Sequence, residues 1–190
     1  MSVTEPLDQR QRIRDAALHL MAERGVHAMS MRTLAAECGL NVATLYHYFP
    51  SKADLLADVV RQQDYAALLA PVPPIDAGLP PQARLAALLR WIWEQMAGQD
   101  DMWRLLLGES LRGDAAVMGS AADLSAMFEA ALDRWIGELF GDGDNARPLA
   151  RVLRGLVYGF FIEYLPLPYE DRMRYLAQRA DEIAATVLPD

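Results

Sequence analysis

Met31-Arg-Thr-Leu-Ala-Ala-Glu-Cys-Gly-Leu-Asn-Val-Ala-Thr-Leu-Tyr-His-Tyr-Phe49 reads as two short helices joined by a glycine turn. Met31, Leu34, Ala35 and Cys38 recur at i, i+3, i+4 and i+7, which makes one apolar stripe along the first helix. Gly39 then lets the chain turn sharply, since a residue without Cβ tolerates positive φ. Asn41 is the expected N-cap of the second helix, its side-chain oxygen accepting a backbone N–H of the opening turn. Val42, Leu45 and the pair Tyr48 to Phe49 give that helix an inward side. Ala35 is small enough to let the two helices approach closely. Ala43, Thr44, Tyr46 and His47 remain outward, with Val42 at the edge. Hydroxyl, imidazole and methyl groups on such a face suit phosphate, base edges and the thymine methyl, as in a helix-turn-helix.

The flanks extend the pattern. Ser51-Lys52-Ala53-Asp54 is a capping box that opens a further helix directly behind the second one. Lys52 then stands at a helix N-terminus, where ammonium and free N–H groups together suit a DNA phosphate. Upstream, Ile13, Ala16, Ala17 and Leu20 form the stripe of a helix ending at Gly25, with Val26 folding back on Met21. Residues 10 to 60 resemble the TetR family of bacterial transcriptional regulators. The likeness is strongest in Ala22-Glu23-Arg24-Gly25, Thr33-Leu34-Ala35 and Thr44-Leu45-Tyr46-His47-Tyr48-Phe49-Pro50-Ser51-Lys52.

The resemblance implies a dimer whose recognition helices enter successive major grooves of a palindromic operator. Such a protein usually represses until a small molecule binds its C-terminal domain. By position, Arg32, Thr33, Asn41, Val42, Ala43, Thr44, Tyr46, His47 and Lys52 form the DNA-facing set. One departure bears on base preference: Asn41-Val42 stands where such proteins often carry a basic or small residue.

A net charge of −8 is the wrong sign for a DNA binder, but its distribution is uneven. Residues 1 to 52 hold six basic and five acidic side chains, net +1, whereas residues 53 to 190 hold twelve and twenty-one, net −9. Arg10, Arg12, Arg14, Arg24, Arg32 and Lys52 are the whole cationic supply of the reading head. A shallow salt dependence of DNA binding is expected, with specificity drawn from two heads acting together.

The fold class expected is all-α. Residues 1–52 form a three-helix bundle with the helix-turn-helix, and residues 53–190 a helical effector-binding and dimerisation domain. The helix from Lys52 runs through Leu55, Leu56, Val59, Val60 and Gln63 toward Leu69, and a tilt at its far end would alter the spacing of two heads. Pro71 to Pro81 cannot continue a helix and reads as a linker or exposed loop. Beyond it, Leu85, Leu88, Leu89, Ile92 and Met96 make one stripe, and Leu124, Met127, Phe128, Ala131, Trp135 and Leu139 another. Asp100-Asp101 caps a shorter helix carrying Met102, Trp103, Leu106 and Leu107, and Gly141 to Asn145 is an acidic turn.

The helix from Arg147 to Tyr164 is apolar nearly all round, so both its sides need cover. Gly155 and Gly159, four apart, suggest a close crossing, because glycine within a helix costs roughly 1 kcal/mol against alanine. The last helix sets Tyr169, Met173, Leu176, Ala180, Ile183 and Val187 at heptad-like spacing. Leu153, Leu156, Gly159, Phe160, Met173, Leu176, Ala180, Ile183 and Val187 are therefore the expected dimer surface, the alternative being that these helices close the subunit's own core.

Trp91, Met96, Trp103, Met118, Met127, Phe128, Trp135, Tyr158 and Phe161 supply the aromatic and thioether groups of an adaptable apolar pocket, or of an ordinary core. Trp91 lies off the stripe of its helix and must meet something else or be exposed. Glu109 and Glu163 follow apolar rows and are candidates for burial, with a partner such as Arg104 or Arg154, or a cationic effector.

Other chemistry has little to stand on. His19, His27, His47 and Cys38 are too scattered for a metal site, and no cofactor is expected. Cys38 reads as a buried small apolar residue, a thiol sensor being the alternative. No phosphate-cradling loop or nucleophile elbow occurs, so an enzyme is not expected. No membrane-length apolar run or signal peptide is read, and one cysteine excludes an internal disulfide, which suits the cytoplasm. The expected partners are operator DNA, a small-molecule effector and a second copy of the chain. The competing reading is a helical ligand-binding or interaction protein whose head binds DNA weakly or not at all.

Overall fold

The computed structural model describes residues 6–61, 67, 69–112, 115–141 and 146–188, and every regular element among them is an α-helix. In chain order these are α1 (Pro6–Arg24), α2 (Met31–Glu37), α3 (Val42–Tyr48), α4 (Lys52–Arg61), α5 (Pro81–Ala97), α6 (Asp100–Arg112), α7 (Ala115–Phe140), α8 (Ala146–Tyr164) and α9 (Tyr169–Val187). Two compact units result: Met1–Asp64 with Asp101–Asp123, and Tyr65–Asp100 with Leu124–Asp190. Gln63, the side chain of Met118 and the acidic turn 142–145 lie outside the described residues.

In the first unit α1 turns Ile13, Ala17, Leu20 and Met21 inward, at the helical spacing that buries one face. Met29, Leu34, Leu45, Phe49 and Leu55 of the same unit are almost fully buried as well. Gly25 ends α1 at φ +80, its N–H donating to the Met21 carbonyl over 2.9 Å. Val26, one residue on, is buried but sends its N–H elsewhere: it donates to the Glu109 carboxylate at 3.0 Å. After a glycine stop that donor commonly returns to the helix just ended. Here α6, whose Met102, Leu105 and Leu106 are buried in this unit's core, supplies the acceptor.

The second unit is built from α5, the later part of α7, α8 and α9. Leu85, Leu88, Leu89, Ile92 and Met96 are buried as their spacing predicts, and Trp93 joins them, its indole N–H donating to the Val157 carbonyl at 3.0 Å. The proline-rich connection is tied down: Arg134 donates to the Leu69 carbonyl at 2.5 Å and Trp135 to that of Pro71 at 2.9 Å, while Pro73 is buried. Arg172 was not singled out by any apolar pattern, yet its side chain is 1% exposed. It pairs with Asp100 at 2.6 Å and stacks near Phe161 and Tyr169, so a buried charge is matched by a carboxylate and two ring faces.

The last two helices divide the expected dimer surface: Gly159 is exposed and four of its residues are half-buried, while the other four lie in the subunit core. Leu153, Leu176 and Ala180 are fully buried inside the subunit, Ile183 is nearly so, and α9 lies along α5. The heptad-like row thus closes the subunit core. What faces outward on α8 is Val152, 56% exposed, and Ile162, 45% exposed. Leu156 and Phe160 are half-buried beside an open groove that Arg179, Glu182, Thr186 and Val187 line from α9, and Met173 is half-buried as well.

Candidate nucleic-acid interface

The turn before α3 is set by Gly39 at φ +64, whose N–H reaches the Ala36 carbonyl while that of Leu40 reaches Ala35. Only a residue without Cβ takes that backbone conformation at no steric cost. Asn41 then caps α3, its Oδ1 accepting the Thr44 N–H at 2.7 Å. With Leu45 and Phe49 buried, the opposite face is fixed: Ala43, Tyr46 and His47 are exposed, Val42 and Thr44 half-exposed. Helix α2 presents Arg32 and Thr33 to solvent. Its own cap is Ser30, which accepts the Thr33 N–H at 3.0 Å. Apolar spacing gives no sign of this cap, whereas a serine directly before the helix and three residues ahead of Thr33 does.

The cations are another matter. Lys52 opens α4 as expected, and Ser51 caps it by accepting the Asp54 N–H at 3.0 Å. The lysine ammonium, however, donates to the Met29 carbonyl at 2.5 Å and approaches that of His27 at 3.4 Å, so it clasps the α1–α2 loop. Arg10 and Arg14 both lie against Asp58 of α4, at 3.3 and 3.2 Å. Arg10 also donates to the Tyr48 carbonyl at 3.2 Å and stacks 4.4 Å from the Phe49 ring. Three of the six cations counted for the head therefore have internal partners, while Arg24 and Arg32 are exposed. Arg12, also exposed, borders a shallow hollow with Asp15, Glu37 and Cys38. Burial pushes the Cys38 thiol up from its ordinary value, away from the thiolate a sensor needs.

Of the pocket candidates, four come together in the second unit. Trp91 meets Trp135 edge-on at 5.2 Å between centroids, and Phe128 contacts both Trp135 at 6.4 Å and Tyr158 at 5.2 Å. That accounts for Trp91 lying off its own stripe. Burial raises the Tyr158 hydroxyl to about 12. Met96 and Phe161 are buried in the same unit and Met127 is half-buried. The remaining three depart from expectation. Trp103 and Glu109 belong to the unit of the head, where Glu109 is engaged by the Val26 N–H, and Glu163 is exposed to solvent. Arg154 pairs with Glu129.

Two short helices locked by side-chain caps around a positive-φ glycine, with a polar face left outside, define a helix-turn-helix head. Residues 13–59 match the model of the bacterial regulatory proteins, tetR family. The regulator UidR of Escherichia coli is 37% identical over 65 residues, covering 34% of this chain and 33% of that protein. The repressor KstR of Rhodococcus jostii is 41% identical over 56 residues, 30% of this chain and 26% of its own. The chain thus matches about a third or less of the length of these curated relatives. The fold extends further: GusR of Salmonella enterica aligns over 99% of both chains with a TM-score of 0.70 at 23% identity. A Saccharomonospora viridis regulator solved with choline aligns over 92% of this chain and 94% of its own, with TM-score 0.70 and 23% identity. Residues 13–59 thus carry the DNA-binding domain of the bacterial regulatory proteins, tetR family, and the relatives that share this segment are named as transcriptional regulators. Among the described residues no helix is long and apolar enough to cross a membrane.

Proposed function

We propose that this chain is a ligand-responsive transcriptional repressor that acts in the cytoplasm as a homodimer on a palindromic operator. The observation that carries the reading is the α3 face, where Ala43, Thr44, Tyr46 and His47 stand outward on a helix capped by Asn41. Arg32, Thr33 and Val42 complete the reading surface, and Lys52 contributes the helix start it occupies more than its charge.

Dimerisation draws support from α8. Beyond the helix's own backbone, a methyl group added at Gly155 or Gly159 would meet no atom of the described residues within 4 Å, so no described neighbour calls for glycine there. With Val152, Leu156, Phe160 and Ile162 beside them, these positions suit close packing against a second copy. The effector is taken to be a small apolar molecule held near Trp91, Phe128, Trp135 and Tyr158, where aromatic edges and faces alternate. The scarcity of free cations in the head favours the competing reading of a helical ligand-binding protein without DNA affinity enough to keep it in the test.

The test is to sequence DNA fragments retained by the purified full-length protein. Two related half-sites spaced by about 10 base pairs or a multiple are expected, with affinity for them falling at least tenfold on combining Thr44→Ala and Tyr46→Ala. Recovery of no common sequence, or undiminished binding by that double variant, overturns the assignment.

A further inference from the structure

Two of the head's arginines share one acidic partner. Asp58, 15% exposed on α4, receives both Arg10 and Arg14, which come from one face of α1. Arg10 continues past it to the Tyr48 carbonyl, the last residue of α3, and lies over Phe49, the residue that ends that helix. A cation on a terminal carbonyl is favourable in itself, because that end of a helix carries partial negative charge. Asp58 therefore has two effects. It neutralises guanidinium charge that would otherwise attract phosphate, and it fixes the side chain that holds the end of the recognition helix against α1 and α4.

We propose that Asp58 is a specificity-determining positioning residue: by clamping Arg10 and Arg14 it keeps affinity for arbitrary DNA low and sets the angle at which α3 is presented. The inference rests on the DNA-binding reading above. Charge neutralisation acts on every sequence alike, whereas helix presentation acts only on the matched site. Removing the carboxylate therefore raises non-specific binding and lowers operator preference together. A residue needed only for stability does neither.

The experiment compares the full-length parent with Asp58→Asn, which keeps the shape and an acceptor but not the charge. Each is titrated with a random-sequence duplex and with a duplex selected by the parent, over a range of salt. For Asp58→Asn, affinity for the random duplex is expected to rise about threefold per head at low salt, with the salt slope steeper by about one per head. The ratio of selected to random binding is expected to fall at least tenfold. Arg10→Gln supplies the second variant. It changes the salt slope little in the parent background but removes the added slope in the Asp58→Asn background. An unchanged slope and an unchanged ratio in Asp58→Asn overturn the proposal, as does an Arg10→Gln effect that is the same in both backgrounds. If Asp58→Asn does not fold, Arg10→Gln alone decides: a parental slope with reduced operator preference supports the clamp, and a slope shallower by one per head places Arg10 on phosphate and refutes it. Failure of the DNA-binding reading looks different, because the parent then selects no duplex at all.

Discussion

Helices α2–α3 and helices α8–α9 both announce themselves through apolar spacing, yet only the first pair faces the way its spacing suggests. In α2–α3 the apolar positions are few, and side-chain caps from Ser30 and Asn41 fix where each helix starts. Gly39 at positive φ fixes the turn between them. With start, turn and inward residues all determined, the outward residues follow. In α8–α9 apolar residues run nearly all round one helix, and the start of α9 carries no side-chain cap. Spacing alone then identifies a row but not what lies against it, since a core and a partner subunit are equally apolar. Direction comes from caps and turns, and periodicity gives only phase.

The sharpest way to break this comparison is Leu176→Ala. If the α9 row serves the subunit core, the substitution opens a cavity and lowers unfolding free energy by about 3 kcal/mol, as buried leucines do. Dimer dissociation measured by sedimentation should be unchanged within twofold below the unfolding transition. A variant of parental stability whose dimer falls apart would return Leu176 to the interface and restore the heptad reading.

A smaller effect tests the other half. Asn41→Ala removes the acceptor of the Thr44 N–H and should cost about 1 kcal/mol in denaturant unfolding, while Asn41→Ser retains most of it. Operator affinity should fall by more than the stability loss predicts, because the first turn of α3 presents Thr44. If alanine is tolerated without change in either measurement, the cap does not govern the orientation of the reading face.

The same contrast explains what could be read from the residues beforehand. The all-helical fold, the positions of α1 to α4, the glycine turn, the Asn41 cap and the outward set on α3 were legible, since each rests on interactions a few residues apart. The destinations of Arg10, Arg14 and Lys52 were not, because their partners Asp58, Tyr48 and Met29 lie 23 to 48 residues away and a guanidinium gives no local sign of where it will point. Glu109 fell between the two cases. Its place on a buried row of α6 was visible, but the hydrogen bond it accepts from the backbone N–H of Val26 was not. Glu163, with the same kind of row behind it, sits in solvent, which shows how little a single row decides.

The smallest effect concerns the other tie between α6 and α1. His19 Nδ1 lies 3.0 Å from Asp101 and its Nε2 3.4 Å from Glu23, with the ring a little over half exposed. The hydrogen bond to Asp101 is the main cause that raises the imidazole above its ordinary value of 6.5, the charges of Asp101, Glu23 and Glu37 adding to it and burial opposing it. A group whose pKa is higher folded than unfolded contributes stability that is fully present below the unfolded value and is lost as pH rises through the folded one. The α1–α6 contact should therefore slacken slightly from just above pH 6.5 upward, and exposure to water and salt keeps the effect small. Proton NMR titration of the His19 ring should give a midpoint above 6.5 that drops on Asp101→Asn and shrinks toward the ordinary value in high salt. A midpoint at or below 6.5 with Asp101 intact would mean that the carboxylate does not hold the ring in solution, leaving the Val26–Glu109 hydrogen bond as the tie of α6 to the chain that follows α1.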